Sequence, residues 1–100
     1  MNPLVSVVIP CRNEEKTISL VLDALRQQTF PSEAMEVVIA DGLSTDGTRK
    51  AIHAFSEKHP QLTVRLVDNP QRVIPTGLNV AIKAAKGDLI VRMDAHSIPN

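Results

Sequence analysis

Apolar and polar positions along the chain follow a two-part rhythm. Short runs rich in β-branched residues alternate with stretches where apolar residues return every three or four positions. Val5 to Ile9 is the first run, closed by Pro10, and reads as a buried strand. Ile18, Val21, Leu22 and Leu25 then recur at i, i+3, i+4 and i+7, so one helical face is apolar. Asn13 can cap that helix, with Glu14 and Glu15 in its favourable first turn. Phe30-Pro31-Ser32 is a loop. Glu36 to Ala40 is a second buried strand ending at Asp41, and Gly42 to Gly47 is turn chemistry in which Ser44 or Asp46 can cap the next helix. Ala51, Ile52 and Phe55 form the inner face of that helix, and Pro60 lies just past its end. Leu62 to Val67 is a third strand, stopped by Asp68-Asn69-Pro70. Pro75 suits the first position of a third helix, whose inner face is Leu78, Ala81, Ile82 and Ala85. Gly87 sits where a helix end favours a left-handed residue. Leu89 to Met93, largely covered, is the fourth strand.

The order βαβαβαβ predicts an α/β fold: an open, mostly parallel sheet with right-handed crossovers and helices on both faces. One hundred residues make one small domain or a piece of a larger one. The chain stops at Asn100, straight after the fourth strand, with no closing element, and the expectation is a truncated protein. Eleven basic residues balance eleven acidic ones, so no charge excess suggests nucleic acid or an anionic membrane as partner. The only aromatics are Phe30 and Phe55, too few for a base-stacking platform. Cys11 is alone, which rules out an internal disulfide and fits a reducing, cytoplasmic compartment. No run approaches the ~20 apolar residues of a membrane helix, and the start lacks a signal-like apolar core.

Chemistry gathers at the strand ends. Asp41, Asp68 and Asp94 each follow an apolar run, and parallel strands bring those ends to one edge, which is therefore expected to be acidic. In open α/β sheets that edge is where ligands bind. Asp94 and His96, one residue apart, can share a divalent metal. The same spacing also fits a strand-terminating Asp and a surface His in a turn, and the pair alone leaves both readings open. Three acids together with His96 favour a cation or a hydrogen-bonding ligand. Pro10-Cys11-Arg12-Asn13-Glu14 stands where a dinucleotide fold carries Gly-x-Gly-x-x-Gly, and no P-loop motif occurs. A phospho-receiver domain also carries strand-end acids, but here the first strand ends in Pro10 rather than in paired acids.

At these positions the chain resembles family 2 glycosyltransferases. Val7-Val8-Ile9-Pro10-Cys11-Arg12-Asn13-Glu14-Glu15 is similar to their Pro-x-Tyr-Asn-Glu opening, and Asp41-Gly42-Leu43-Ser44-Thr45-Asp46-Gly47-Thr48 to their Asp-Asp-Gly-Ser-Thr-Asp-Gly-Thr. Asp94-Ala95-His96 sits where they carry Asp-x-Asp. The motifs keep the family's order and spacing over essentially the whole chain. Arg92 to His96 most resembles the branch similar to succinoglycan glycosyltransferases. The resemblance implies that residues 1–100 are the nucleotide-sugar-binding part of a GT-A fold. It implies transfer, with inversion, from a nucleotide sugar, usually UDP-linked, to a saccharide or lipid-linked acceptor in polysaccharide biosynthesis. The alternative is a nucleotide-sugar-binding domain without transferase activity.

The resemblance also implies roles. Pro10, Arg12 and Glu14 would line the nucleoside pocket, Asp41 would accept the uracil N–H, and Asn79 is a further candidate donor contact or a solvent-facing helix residue. Asp94 and His96 would hold Mg²⁺ or Mn²⁺ against the diphosphate. The catalytic base is expected beyond Asn100, as is any segment attaching the protein to the cytoplasmic face of a membrane. The departures are specific. Arg12 replaces the usual Tyr, though a guanidinium can stack on a base in its place. Gly42 replaces the second Asp and His96 the last Asp. Leu78 stands where many members carry an Arg, leaving Arg72 as the candidate to reach the phosphates. Cys11 reads as a small residue at a buried strand end, His53 and His59 as solvated, Lys83 and Lys86 as a solvated helix face, and Asp68 as a turn acid.

Overall fold

The structure, a computed structural model, describes residues 4–27 and 34–95. The expected loop at Phe30 to Ser32 and His96 lie outside the described residues. The elements are β1 (Val5–Cys11), α1 (Ile18–Arg26), β2 (Met35–Asp41), α2 (Thr48–Lys58), β3 (Thr63–Asp68), α3 (Ile74–Ala84) and β4 (Leu89–Arg92). The strands form one all-parallel sheet in the order β3-β2-β1-β4. The first strand therefore lies inside the sheet, and the chain winds one way through β2 and β3 before crossing back to β4. No described helix is long and apolar enough to cross a membrane.

Alternation along the two central strands builds two cores. Val7, Ile9 and Cys11 of β1 and Val37 and Ile39 of β2 face α1 and α2, where they bury Ile18, Val21, Leu22, Leu25, Ile52 and Phe55. Val8 of β1 and Val38 and Ala40 of β2 face α3, packing on Ala81. Helices thus cover both faces. On α3 Ala81 is buried and Leu78 and Ala85 pack beside it, as expected; Gly77 is buried as well, and Ile82, 39% exposed, is the one expected inner-face residue that lies outside. Small residues let α3 lie close: a Cβ built on Gly77 would stand 3.1 Å from Pro10 Cβ. Pro75 is the second residue of α3, not the first, and still within the turn whose N–H groups have no partner inside the helix.

Several expectations are corrected. β1 runs through Pro10 to Cys11. Proline is tolerated inside this central strand because Pro10 faces the β4 side, where the ladder's last register pair is Val8 with Arg92. β4 is not covered: Leu89, Ile90 and Val91 are each about half exposed, because β4 is an edge strand beyond the reach of α3. Asn13 does not cap α1. The helix begins at Ile18 after Thr17, with no acid in its first turn. Ser44 does not cap α2, which begins at Thr48 after Gly47; its hydroxyl turns back to Asp41.

Gly87 is not left-handed; no described glycine has positive φ. Its backbone is pressed against β1. Gly87 N–H donates to Ser6 Oγ at 2.8 Å, and a Cβ there would stand 2.8 Å from the Leu4 carbonyl oxygen and from Ser6 N. Gly87→Ala is therefore expected to destabilise the fold by about 1–3 kcal/mol through overpacking against backbone. Chemical denaturation would measure it, and an unchanged midpoint would show that the turn yields freely.

Candidate functional site

The C-terminal ends of the strands carry three loops that fasten one another. Asn13, left-handed at φ 55, points its side-chain oxygen across to the loop after β2, where it accepts the Thr45 N–H at 2.8 Å. In return Asn13 N–H donates to Ser44 Oγ, and Glu14 N–H to Thr48 Oγ1, both at 2.8 Å. Asp46 accepts the Thr48 N–H at 3.0 Å and so holds the start of α2. Thr17 Oγ1 lies 3.0 Å from the Ala95 carbonyl and 3.1 Å from Glu14 Oε2, and can donate to one at a time. The three motifs quoted above are thus joined by short polar side chains reaching backbone groups of a neighbouring loop.

Between them lies a cleft of about 730 Å³. Pro10, Cys11, Arg12 and Glu14 line it from the end of β1 and just past it, Arg72 to Pro75 from the turn before α3 and its first two residues, and Arg92, Asp94 and Ala95 from β4 and beyond. It sits outside the ends of β1 and β4, where the winding of the sheet reverses, the usual ligand crevice of such folds. Three arginines face two acids here, so the edge is not acidic as expected. Arg12 is fixed by donating Nε–H to the Gly42 carbonyl at 2.9 Å, and Arg92 lies 3.6 Å from the half-exposed Asp94. Arg72 holds a left-handed backbone, φ 64, in the turn where its N–H closes on the Asn69 carbonyl.

Asp41 does not line this cleft. Its side chain is fully buried at the end of β2. One oxygen accepts from the Ser44 hydroxyl and lies 3.5 Å from Cys11 Sγ; the other accepts the Ser44 N–H at 2.9 Å and Arg49 Nε–H at 2.7 Å. Burial alone would raise its pKa, but the Ser44 donors and Arg49 hold it below the usual carboxylate range. Arg49 also pairs with Asp68, the register partner of Asp41 on β3. The sequence reading missed Arg49. The available signal was a guanidinium in the first turn of the helix that follows a strand-end acid.

The remaining candidates separate. Asn79 is exposed on α3 and is not among the residues lining the cleft, whereas Arg72 is. Cys11 is buried, and burial followed by the Asp41 charge pushes its thiol far above its ordinary value, so it is no nucleophile. His53 is exposed; His59 instead packs its ring 4.7 Å from Phe55. Among the described residues no group of three His, Cys, Asp or Glu side chains is placed to hold a metal; of the two expected ligands, Asp94 is described and lines the cleft.

The family model for glycosyl transferase family 2 matches residues 6–100. The chain belongs to that family. It is 36% identical over 95 residues to a dolichyl N-acetyl-α-D-glucosaminyl phosphate 3-β-D-2,3-diacetamido-2,3-dideoxy-β-D-glucuronosyltransferase of Methanococcus voltae, covering 95% of this chain and 30% of that protein. It is 40% identical over 92 residues to the succinoglycan biosynthesis protein ExoA of Rhizobium meliloti, covering 90% and 27%. The chain thus spans under a third of the length of these family 2 relatives. Among solved structures it superimposes on the mannosyltransferase PcManGT from Pyrobaculum calidifontis, in complex with GDP-Man and Mn²⁺, with TM-score 0.91, 36% identity, and coverage of 98% of this chain and 29% of that one. S. aureus TarS in complex with UDP matches with TM-score 0.78 and 31% identity over 93% of this chain and 27% of its own. The four-stranded parallel sheet with its three helices is the N-terminal half of the GT-A fold of family 2 glycosyltransferases.

Proposed function

We propose that this chain forms the donor-nucleotide half of an inverting glycosyltransferase, which moves a hexose-type sugar from a UDP-linked donor to a saccharide or lipid-linked acceptor in polysaccharide biosynthesis. The observation that carries the reading is the cleft at the reversal point of the sheet, where the three family motifs are fastened together. Pro10, Arg12 and Glu14 form the nucleoside side. Arg12 stands where the family's aromatic residue would be and presents a flat cation for stacking on the base. Asp41, at the adjoining strand end, is the acceptor for an imide N–H. Arg72 and Arg92 supply positive charge for a diphosphate.

The donor set suits a divalent ion. Asp94 is a half-exposed carboxylate in the cleft whose described ion-pair partner is the loosely placed Arg92. Asp94, with His96 two positions on, would hold Mg²⁺ or Mn²⁺, and diphosphate oxygens would complete the shell. The metal supplies electrostatic stabilisation of the departing diphosphate. The reading places the general base that takes the acceptor's proton in sequence outside these 100 residues, together with any attachment to the cytoplasmic face of a membrane.

Calorimetric titration of the chain with UDP and GDP, with and without Mn²⁺, tests this. The expectation is weak UDP binding that Mn²⁺ or Mg²⁺ strengthens more than Ca²⁺ does, because imidazole suits transition metals and Ca²⁺ favours oxygen. Asp94→Asn and His96→Ala should each fall to the metal-free affinity, His96→Asp should keep part of the gain, and His53→Ala should change nothing. Equal affinity with and without metal in every variant would overturn the metal assignment.

A further inference from the structure

We propose that Arg49 is a latch on Asp41: its guanidinium fills the acceptor position a nucleobase N–H would use, and it retreats onto Asp68 alone when the base binds. The inference rests on the reading of Asp41 as the base acceptor. A carboxylate offers about four lone-pair sites. At Asp41 all four are faced by donors of the protein itself: Ser44 twice, Cys11 and Arg49. A base N–H therefore finds no open site unless one donor leaves.

Three of those donors are fixed. The Ser44 N–H is backbone, in the turn after β2. The Ser44 hydroxyl is held in turn by the Asn13 N–H it accepts. Cys11 is 3% exposed between β1 and the helices. Arg49 differs on each count. It is the second residue of α2, carries a long flexible side chain, and is 36% exposed. A second guanidinium nitrogen is already tied to Asp68, whose side chain is 61% exposed. Arg49 can thus release Asp41 and remain paired, while the arriving N–H takes its place as donor to the buried oxygen, which keeps its hydrogen bond but exchanges a charged donor for a neutral one.

Asp41 is separated from the cleft by its neighbour Gly42, which packs against the cleft wall. Gly42 follows Asp41 directly, and a Cβ there would stand 3.3 Å from the Arg12 side chain and 3.1 Å from Arg72 Cα, both cleft residues. The arrangement also gives Asp68 a task beyond ending a strand. It is where the latch parks.

The test follows UDP binding by calorimetry in the 100-residue chain and in Arg49→Met and Asp68→Asn, beside the Arg49 Nε–H signal of the unmodified chain in proton–nitrogen spectra. Arg49→Met should melt earlier yet bind UDP roughly three- to tenfold tighter, as a competing charge-assisted bond is gone. Asp68→Asn should bind more weakly. UDP should shift the Arg49 signal, while UDP methylated at the imide nitrogen, which has no proton to donate, should leave it in place. If Arg49→Met fails to fold, the signal in the unmodified chain decides alone. UDP binding that is unchanged or weakened in folded Arg49→Met, or that leaves the Arg49 signal unmoved, overturns the latch and spares the nucleotide reading. Absence of UDP and GDP binding in the unmodified chain and in every variant overturns both.

Discussion

Glu36→Ala is expected to cost the fold about 2–4 kcal/mol, the loss of a buried, hydrogen-bonded carboxylate discounted for a partner that reaches water. Glu36 is 4% exposed near the start of β2, at the end of the sheet opposite the cleft. Its carboxylate accepts the Ser6 hydroxyl and the Lys86 N–H, each at 2.6 Å, and Arg65 at 3.1 Å. Arg65 also donates to the Ala84 carbonyl, and Ser6 in turn accepts the Gly87 N–H. One side chain therefore fastens β1, β2, β3 and the α3–β4 turn. Alanine would leave the fully buried Ser6 hydroxyl and a backbone N–H without their acceptor. Arg65, about one-third exposed, would turn to solvent, which keeps the cost below that of a sealed ion pair. Glu36→Gln, keeping the shape and one acceptor oxygen, should lose less, and the exposed Glu57→Ala should stay within about 0.5 kcal/mol of the parent. Urea denaturation of the three variants decides it; equal losses for Glu36→Ala and Glu57→Ala would dismiss the network.

The same residue contributes to the acid sensitivity of the fold. Burial works to raise the Glu36 pKa, but Ser6, Lys86 and Arg65 together hold it below the ordinary 4.5, and Asp41 is likewise held below 3.8. Both are more acidic folded than unfolded. Their contribution is therefore complete above the unfolded values and drains away as pH falls through about 4.5 and on through the lower folded values. Glu36→Gln should flatten the slope of stability against pH in that window.

Asp41→Ala is expected to weaken UDP binding by ~1.5–3 kcal/mol, roughly ten- to a hundredfold, the loss of one charge-assisted hydrogen bond. Asp46→Ala should largely spare binding, since Asp46 is engaged with the Thr48 N–H and hydroxyl at the start of α2. Asp41 also organises the turn, so circular dichroism must first show that the variant is folded. Equal losses of affinity from both substitutions would give the two acids the same role.

What was legible in the sequence was what depends on neighbours in the chain. The i, i+3, i+4, i+7 spacing of Ile18, Val21, Leu22 and Leu25 identified four residues that are all buried on α1. The β-branched runs identified β1 and β2. What was illegible depended on which strand lies where. Leu89 to Val91 are as apolar as Val37 to Ile39, yet one run lies at the margin of the sheet and the other inside it. Asn13 has the chemistry of a cap, but the groups it satisfies belong to a loop some thirty residues on. Gly87 was read as a helix terminator because glycine is common there; its actual reason is Ser6 and Leu4, brought beside it only by β4 pairing with β1. In the cleft, the lining by Pro10, Arg12, Glu14 and Asp94 followed from the motifs. The engagement of Asp41 did not, because Arg49 meets it only once α2 packs beside the end of β2.

The position of β1 between β2 and β4 has a consequence in time. It is made before the other three described strands, and its Val5–Val8 segment gains its second neighbour only when Leu89–Arg92 has been made. Until then one side of its hydrogen-bonding ladder is open, and closing it spans almost the whole chain, the kind of distant pairing that slows folding. The cleft inherits that delay. Arg12 and Glu14 can meet the loop after β2 early, but the wall carrying Arg92 and Asp94 is made after the other three described strands, so the nascent chain gains its ligand crevice and the second neighbour of β1 in the same step.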